Sequence, residues 1–189
     1  MKKISNINNN IKMICWDLDG TLFDTELMWY NMDNLVKEQN KSSEEICSLA
    51  YKTWDYRANA GVVLRYFNKN NITQVIINKC DLTNDAMYKN ETIKKSFSFD
   101  KFDLVVSEKL FDSEPSVEDL FKYAINKYKY KKDEILAICD MPFELEAAKK
   151  NGLTTIWAKN KNYPFSKEEL NDIKKYSDYY VEDFKDLIK

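Results

Sequence analysis

The hydrophobic residues of this chain fall into short uninterrupted runs, separated by longer stretches in which polar and apolar positions mix. Short apolar runs are typical of strands that are buried on both faces of a parallel sheet. Such runs predict strands at residues 13–16, 73–78, 102–107, 135–139, 153–158 and 179–181.

Between these runs, apolar residues recur at the three- and four-residue spacing of an amphipathic helix. This spacing predicts helices at residues 25–40, 62–69, 84–95, 117–128, 144–151 and 167–176, and another after 181. A further helix is expected to begin at residues 42–45, where a serine and two early acids suit a helix N-terminus. Gly152 follows one predicted helix at the position that commonly ends it.

Strands that alternate with helices imply right-handed crossovers and a sheet covered on both faces. We therefore predict an α/β fold: a Rossmann-like three-layer α/β/α sandwich with a mostly parallel sheet and a small helical insertion after the strand at 13–16. Residues 1–11 are polar and rich in asparagine, which predicts a lead-in that is partly frayed at its start.

The amino-acid composition is that of an ordinary globular protein, and the net charge reduces the number of partner classes to consider. The chain has 189 residues, 44% hydrophobic and 32% charged, with a formal net charge of -2. This balance gives no reason to expect nucleic acid or a membrane as a partner. The N-terminus lacks the apolar core of a signal peptide, and the four cysteines show no C-x-x-C spacing, which favours a reduced, cytoplasmic location. Cys15 and Cys139 fall inside predicted strands, where they are expected to pack as small hydrophobic residues. The sequence does not determine the oligomeric state.

The chain contains no histidine. This excludes Ser-His-Asp and Cys-His catalysis, phosphotransfer through histidine and histidine-bound zinc. Any chemistry must use carboxylates, lysines, hydroxyls, thiols or bound ions.

The closest grouping of candidate catalytic residues follows the first predicted strand, in the sequence M-I-C-W-D-L-D-G-T at residues 13–21. Asp17 and Asp19 leave the strand with one residue between them, and Gly20 allows a sharp turn close to a ligand. An open α/β sheet places its ligand at this edge. The simpler alternative is an Asp-Gly turn whose acids are merely solvated.

This stretch resembles the D-x-D-G-T motif of the haloacid-dehalogenase-like (HAD) superfamily. The resemblance implies that Asp17 attacks phosphorus, that Asp19 acts as general acid and base, and that Thr21 contributes to phosphate binding. It also favours a phosphatase over a dehalogenase, since family members of the latter kind lack the second carboxylate.

A second acidic strand end is C-D-M-P-F-E at residues 139–144, which resembles a later HAD motif. The resemblance implies a Mg²⁺ site formed by Asp17, the backbone carbonyl of Asp19, Asp140 and Glu144. Oxygen ligands of this kind suit a hard divalent cation, which relieves repulsion between a phosphate and a carboxylate. The alternative is an aspartate that caps the next helix.

Two other HAD motifs are altered. Where the family has a serine or threonine, this chain has Ile77, followed by Asn78 and Lys79. Where the family has a lysine, S-E-P-S supplies Glu114, which reverses the charge. Asn78, Lys79 and Lys109 are therefore the candidate phosphate-binding residues, although either lysine is also compatible with a solvated surface position.

Residues 25–57 occupy the place where HAD proteins insert a cap, which divides the chain into a core of 1–24 and 58–189 and a small helical cap. Aromatic residues of this segment either line a substrate pocket or seal the helices onto the core; packing is the favoured interpretation for each of Trp29, Tyr30, Trp54 and Tyr56. Arg57 has the geometry to hold a substrate anion.

The predicted function is hydrolysis of a small phosphorylated metabolite, dependent on Mg²⁺ and proceeding through a phosphorylated Asp17. The alternative, motivated by Ile77 and Glu114, is a catalytically impaired HAD-like protein that binds a metal, a phosphorylated ligand or a partner. A receiver-type phosphoacceptor fits the acidic strand end but not the order of D-x-D-G-T.

Overall fold

The computed structural model describes residues 1–7, 10–25, 29–43, 45–46, 56–79 and 102–188. The predicted helix at 84–95 lies outside the described residues, as do Trp54 and two of the cysteines, Cys47 and Cys80. At the predicted start of a second helix, the Ser42 hydroxyl accepts from the backbone N–H of Glu45 at 3.2 Å, as a capping serine would.

Within the described residues, seven strands form one sheet in which every pairing is parallel. The strands are β1 (Lys2–Lys3), β2 (Met13–Trp16), β3 (Thr73–Ile77), β4 (Leu104–Val106), β5 (Ile135–Cys139), β6 (Thr154–Ala158) and β7 (Tyr179–Val181). Their spatial order is β1-β7-β6-β5-β2-β3-β4. The strand that carries the two aspartates, β2, is therefore central, between β3 and β5.

The described α-helices match the predicted ones closely along the second half of the chain. They are α1 (Met32–Gln39), α2 (Ala60–Lys69), α3 (Val117–Tyr128), α4 (Pro142–Lys150) and α5 (Lys167–Tyr176). Short 3₁₀ helices lie at Glu108–Leu110, Lys132–Glu134 and Phe184–Ile188. None of the helices in the described ranges is both long and apolar enough to cross a membrane.

Two hydrophobic clusters sandwich the sheet, which confirms the predicted three-layer α/β/α architecture. Alternate residues of β2 point to opposite faces, so that Trp16 packs with α2 and the C-terminal 3₁₀ helix, whereas Cys15 packs with α3, α4 and α5. Every residue of β2 is fully buried. The four-residue strand is therefore held rigidly from both sides.

The prediction of a partly frayed lead-in was wrong. β1 pairs with β7 at the sheet edge, and the backbone N–H of Ile4 donates to the carbonyl of Tyr180 at 3.0 Å. Ile4, Ile7 and Ile11 are buried in the same cluster as Trp16. The described residues of the lead-in pack against the core because these three spaced isoleucines supply apolar area, which the many asparagines obscure in the sequence.

The start of one helix differs from the predicted position. α4 begins at Pro142 rather than at the predicted residue 144, because proline is well suited to the first turn of a helix. Gly152 follows α4 with φ +78°, as its predicted position requires, and an added Cβ there would lie 3.1 Å from the Lys132 side chain.

A partly exposed polar junction ties β6, β7 and α4 together around Asp178. One of its carboxylate oxygens accepts from the backbone N–H of Thr155 at 3.0 Å, and Lys149 donates to the other at 2.6 Å. Burial raises the pKa of Asp178, but Lys149 and Thr155 outweigh it and the net pKa lies below the ordinary value. Its charged form therefore stabilises the fold.

We expect Asp178→Asn to lower the free energy of unfolding at pH 7 by about 1–2 kcal/mol, since a partly exposed charged hydrogen bond is lost. A depressed pKa adds stability above the unfolded value near 3.8, and that stability is lost as pH falls through the folded value. The gap between wild type and variant in urea denaturation should therefore close below about pH 4. Asp133→Asn, at an exposed site, is the control; a gap independent of pH would contradict the prediction.

Candidate active site

The two acidic strand ends lie side by side because β2 and β5 are paired in parallel. Trp16 is in register with Ile138, and the backbone N–H of Asp17 donates to the Ile138 carbonyl at 3.0 Å. The chain after each strand therefore emerges at the same edge of the sheet, where α/β proteins bind ligands. Asp17 and Asp140 are both buried there.

The turn after Asp17 is fixed by a residue that the sequence did not single out. Gly20 adopts φ +79°, which only glycine reaches without strain, and its N–H donates to the Thr25 hydroxyl at 3.0 Å. The same hydroxyl donates to a carboxylate oxygen of Asp19 at 3.0 Å. Thr25 is almost fully buried and thereby orients Asp19.

Asp140 is fixed in a comparable way from β6. The indole N–H of Trp157 donates to the Asp140 backbone carbonyl at 3.0 Å. Trp157 sits within an apolar strand, and nothing in its sequence position distinguishes it from an ordinary core residue. Only the pairing of β5 with β6 reveals this role.

Three carboxyl groups converge at this edge. One carboxylate oxygen from each of Asp17, Asp140 and Glu144 lies within 4.8 Å of the other two. Oxygen Oδ2 of Asp17 and Oε2 of Glu144 are buried and, within the described part of the chain, have no hydrogen-bond partner. Buried oxygens without donors are ready ligands for a hard cation, so this donor set fits a divalent metal ion.

The same crowding perturbs the protonation of the acids. Burial, followed by the charge of Asp19, raises the pKa of Asp17 to about 8. Burial, followed by the charge of Asp17, raises the pKa of Glu144 well above its ordinary value. Without a compensating cation, the cluster therefore holds protons that ordinary carboxyl groups would release.

The acids form the floor of a cavity of about 340 Å³. The described residues that line it are Asp17, Asp19, Trp29, Tyr30, Asn78, Lys79, Asp140, Met141, Phe143, Glu144 and Tyr163. Among the residues predicted for the site, Thr21 is buried outside this lining and Lys109 is exposed outside it. Asn78 and Lys79 thus line the same cavity as the acids, whereas Lys109 is not among the described residues of that lining.

The altered motifs meet at the cavity. Ile77 is buried in the hydrophobic core, whereas the next residue, Asn78, lines the cavity and is anchored by its N–H to the Val106 carbonyl at 3.0 Å. The Lys79 ammonium lies 3.0 Å from the Glu114 carboxylate. The residue with the reversed charge therefore pairs with a lysine at the end of β3.

Arg57 does not have the role that the sequence suggested. Its guanidinium donates to the backbone carbonyls of Gly20 at 2.8 Å, Ala158 at 3.0 Å and Lys159 at 2.6 Å. Through these hydrogen bonds, the guanidinium group links the Gly20 turn to the end of β6. Arg57 is a structural clamp behind the site rather than a ligand for an anion.

The two ends of the predicted cap segment also lie together. Phe23 and Tyr56 form an antiparallel bridge, and their rings stack at 5.1 Å. Tyr56 therefore packs, as favoured, whereas Trp29 and Tyr30 line the cavity. The described middle of the segment contains α1, but the division of the chain at residues 25–57 stays a prediction.

Neither family models nor curated proteins match this sequence, whereas solved structures match it well. A haloacid dehalogenase-like hydrolase from Streptococcus pneumoniae is 15% identical over 93% of this chain and 95% of its own, with a TM-score of 0.65. CbbY from Rhodobacter sphaeroides, in complex with phosphate, is 14% identical over 92% and 95%, with a TM-score of 0.67.

A HAD phosphatase from Thermococcus onnurineus gives similar values: 15% identity, 93% of this chain, 95% of its own and a TM-score of 0.65. Over nearly its whole length, this chain therefore has the haloacid-dehalogenase-like fold. A fold alone does not determine chemistry, so function has to be argued from the site.

We expect metal-free protein, kept so by a chelator, to lose stability as pH rises from about 4 to about 8. Folded Asp17 keeps its proton up to a pKa of about 8, whereas the unfolded carboxyl releases it near 3.8, so the folded state binds more protons in this window. In Asp17→Asn, the free energy of unfolding should depend less steeply on pH, as measured by urea denaturation at several pH values. Asp112→Asn, at an exposed site, should not. Equal slopes in wild type and Asp17→Asn would refute this.

Proposed function

We propose that this chain is a phosphohydrolase that uses Mg²⁺ and Asp17 to hydrolyse a small phosphate monoester. The observation that carries the proposal is the convergence of three carboxyl groups on the floor of a cavity, two of them with buried oxygens that have no hydrogen-bond donor among the described residues. Further support comes from the HAD-like fold and from similar structures described as phosphatases.

Asp17, Asp140 and Glu144 would hold the metal ion, with the backbone carbonyl of Asp19 as a further expected ligand. When bound, Mg²⁺ supplies charge that offsets the repulsion between the substrate phosphate and the acids. A cation also favours the ionised form of Asp17, which is the form that attacks.

The reaction then proceeds in two balanced steps. A carboxylate oxygen of Asp17 attacks phosphorus while the bond from phosphorus to the leaving oxygen breaks, and Asp19 gives that oxygen its proton. Water next attacks the phosphorus of the aspartyl phosphate, Asp19 takes up its proton, and Asp17 and inorganic phosphate are released. The bond from Thr25 keeps Asp19 oriented for both transfers.

Lys79 is the proposed cation for the phosphate oxygens, with Asn78 beside it as a hydrogen-bond donor. The ion pair with Glu114 is solvated, since the two side chains are 50% and 75% exposed, so it orients the lysine at little energetic cost. A cation at the cavity favours the hydrolase over the catalytically impaired alternative, which was motivated by the charge reversal at Glu114.

We expect phosphate release from p-nitrophenyl phosphate to require Mg²⁺ and to fall about a thousandfold or more in Asp17→Asn, because the attacking oxygen is lost. Asp19→Asn should also be strongly impaired. Asp112→Asn, an exposed substitution outside the site, serves as the control. Added Mg²⁺ should raise the melting temperature of wild type but not of Asp140→Asn. Turnover that survives Asp17→Asn would overturn the mechanism.

Lys79→Ala should lower kcat/KM by about 10- to 100-fold, since the acids would then face the phosphate with one cation fewer. Glu114→Ala should have a smaller effect, because the cation remains. The informative variant is Lys79→Ala combined with Glu114→Lys, which returns a lysine from the opposite side of the pair and should recover part of the activity. An unchanged kcat/KM in Lys79→Ala would exclude this role.

A further inference from the structure

The mouth of the acidic cavity is aromatic. In the described ranges, five aromatic side chains are at least 36% exposed, and three of them, Trp29, Tyr30 and Phe143, line this one cavity. The exposed fractions of Tyr30 and Phe143 are 57% and 52%. Exposed apolar surface gathered at a cavity marks a place where a ligand is bound.

One of these rings, that of Tyr30, is supported from behind. The Tyr30 ring meets Tyr163 at 5.6 Å, edge to face, and Tyr163 meets Phe165 at 4.5 Å. Phe165 in turn contacts Trp157 at 5.8 Å, the residue whose indole holds the Asp140 carbonyl. A continuous series of ring contacts therefore joins the mouth of the cavity to the wall of the acid cluster.

The charges of the lining restrict what the mouth can accept. Lys79 is the only cation among the described residues that line the cavity, and it belongs with the phosphate at the acids. A second phosphate at the aromatic rings would lose hydration without gaining a cation from the described lining. The lining therefore favours a ligand with one phosphate and an apolar, flat remainder.

We propose that Trp29, Tyr30, Phe143 and Tyr163 form a subsite for a planar aromatic ring in the leaving group of a phosphate monoester. The proposal rests on the proposed function, since it presumes that the phosphate binds at Asp17. A cavity of about 340 Å³ is at the small end of ligand sites and suits one such ring.

A matched pair of substrates tests this subsite. AMP and ribose 5-phosphate share the same primary ester and differ in the ring, so their comparison isolates the contribution of the aromatic group. With Mg²⁺ present, kcat/KM should be about tenfold or more higher for AMP, since stacking on aromatic side chains stabilises a bound base. Benzyl phosphate distinguishes a ring beside the ester from a ring that lies one sugar away; a preference for either ring over ribose 5-phosphate supports the subsite.

Tyr30 supplies the variants, because it is exposed and lies away from the acids in sequence. Tyr30→Ala should remove most of the preference for the ring-bearing substrate, whereas Tyr30→Phe, which keeps the ring, should retain it. Tyr66→Ala removes a similarly exposed tyrosine on α2, outside the cavity, and should leave the preference unchanged. A preference that is unaffected in Tyr30→Ala would overturn the proposal.

Binding separates this subsite from the proposed function. Calorimetry on Asp17→Asn with Mg²⁺ compares AMP with ribose 5-phosphate without turnover. Hydrolysis of AMP, benzyl phosphate and ribose 5-phosphate at equal kcat/KM overturns the aromatic subsite while the phosphatase stands. Absence of hydrolysis, together with tighter binding of AMP that Tyr30→Ala weakens about tenfold, overturns the phosphatase while the subsite stands.

Discussion

The repulsion among three carboxyl groups at one edge of the sheet is the constraint on which this site depends. The parallel pairing of β2 with β5 forces Asp17 and Asp140 together, and the first turn of α4 adds Glu144. Burial, together with the neighbouring negative charges, raises the pKa of Asp17 and of Glu144, which expresses the cost of that convergence. The sheet has to be rigid to hold the acids together against their repulsion. The full burial of β2 on both faces provides that rigidity.

Loops at the ends of strands have few backbone hydrogen bonds of their own, so side chains from elsewhere hold them in place. Arg57 fastens the Gly20 turn to the end of β6, and Trp157 fastens the Asp140 carbonyl from the same strand. Thr25 does the same for Asp19. β6 carries no acid of the cluster, yet it anchors both acidic loops.

The parts of this molecule that were predictable are those that local chemistry determines. Apolar runs located the central strands, and the bounds of α3 and α5 followed from amphipathic spacing. The convergence of Asp17 with Asp140 followed from the topology of a parallel sheet. The N-terminal strand was missed because its partner, β7, lies at the far end of the chain, and pairing over such separations leaves no local signal.

The clamp formed by Arg57 was missed for a related reason. A guanidinium fork satisfies carbonyls and anions equally well, and only the fold shows that three carbonyls converge on it. Thr25 and Trp157 were likewise indistinguishable from core residues. Sequence reasoning identified the acids of the cluster, whereas the groups that position them became visible only in three dimensions.

The pair formed by Lys79 and Glu114 shows how an altered motif is compatible with an intact site. A phosphate responds to the position of a positive charge and not to the segment of chain that supplies it. Lys79 follows the end of β3 and lines the cavity, and the loop at Glu114 reaches it through the ion pair, so a lysine in either segment would lie near the same cavity. In the sequence, Glu114 stands where the HAD motif has a lysine, which suggests that a cation has been lost. In the folded chain, Lys79 lies beside Glu114, so a positive charge is still present close to that position.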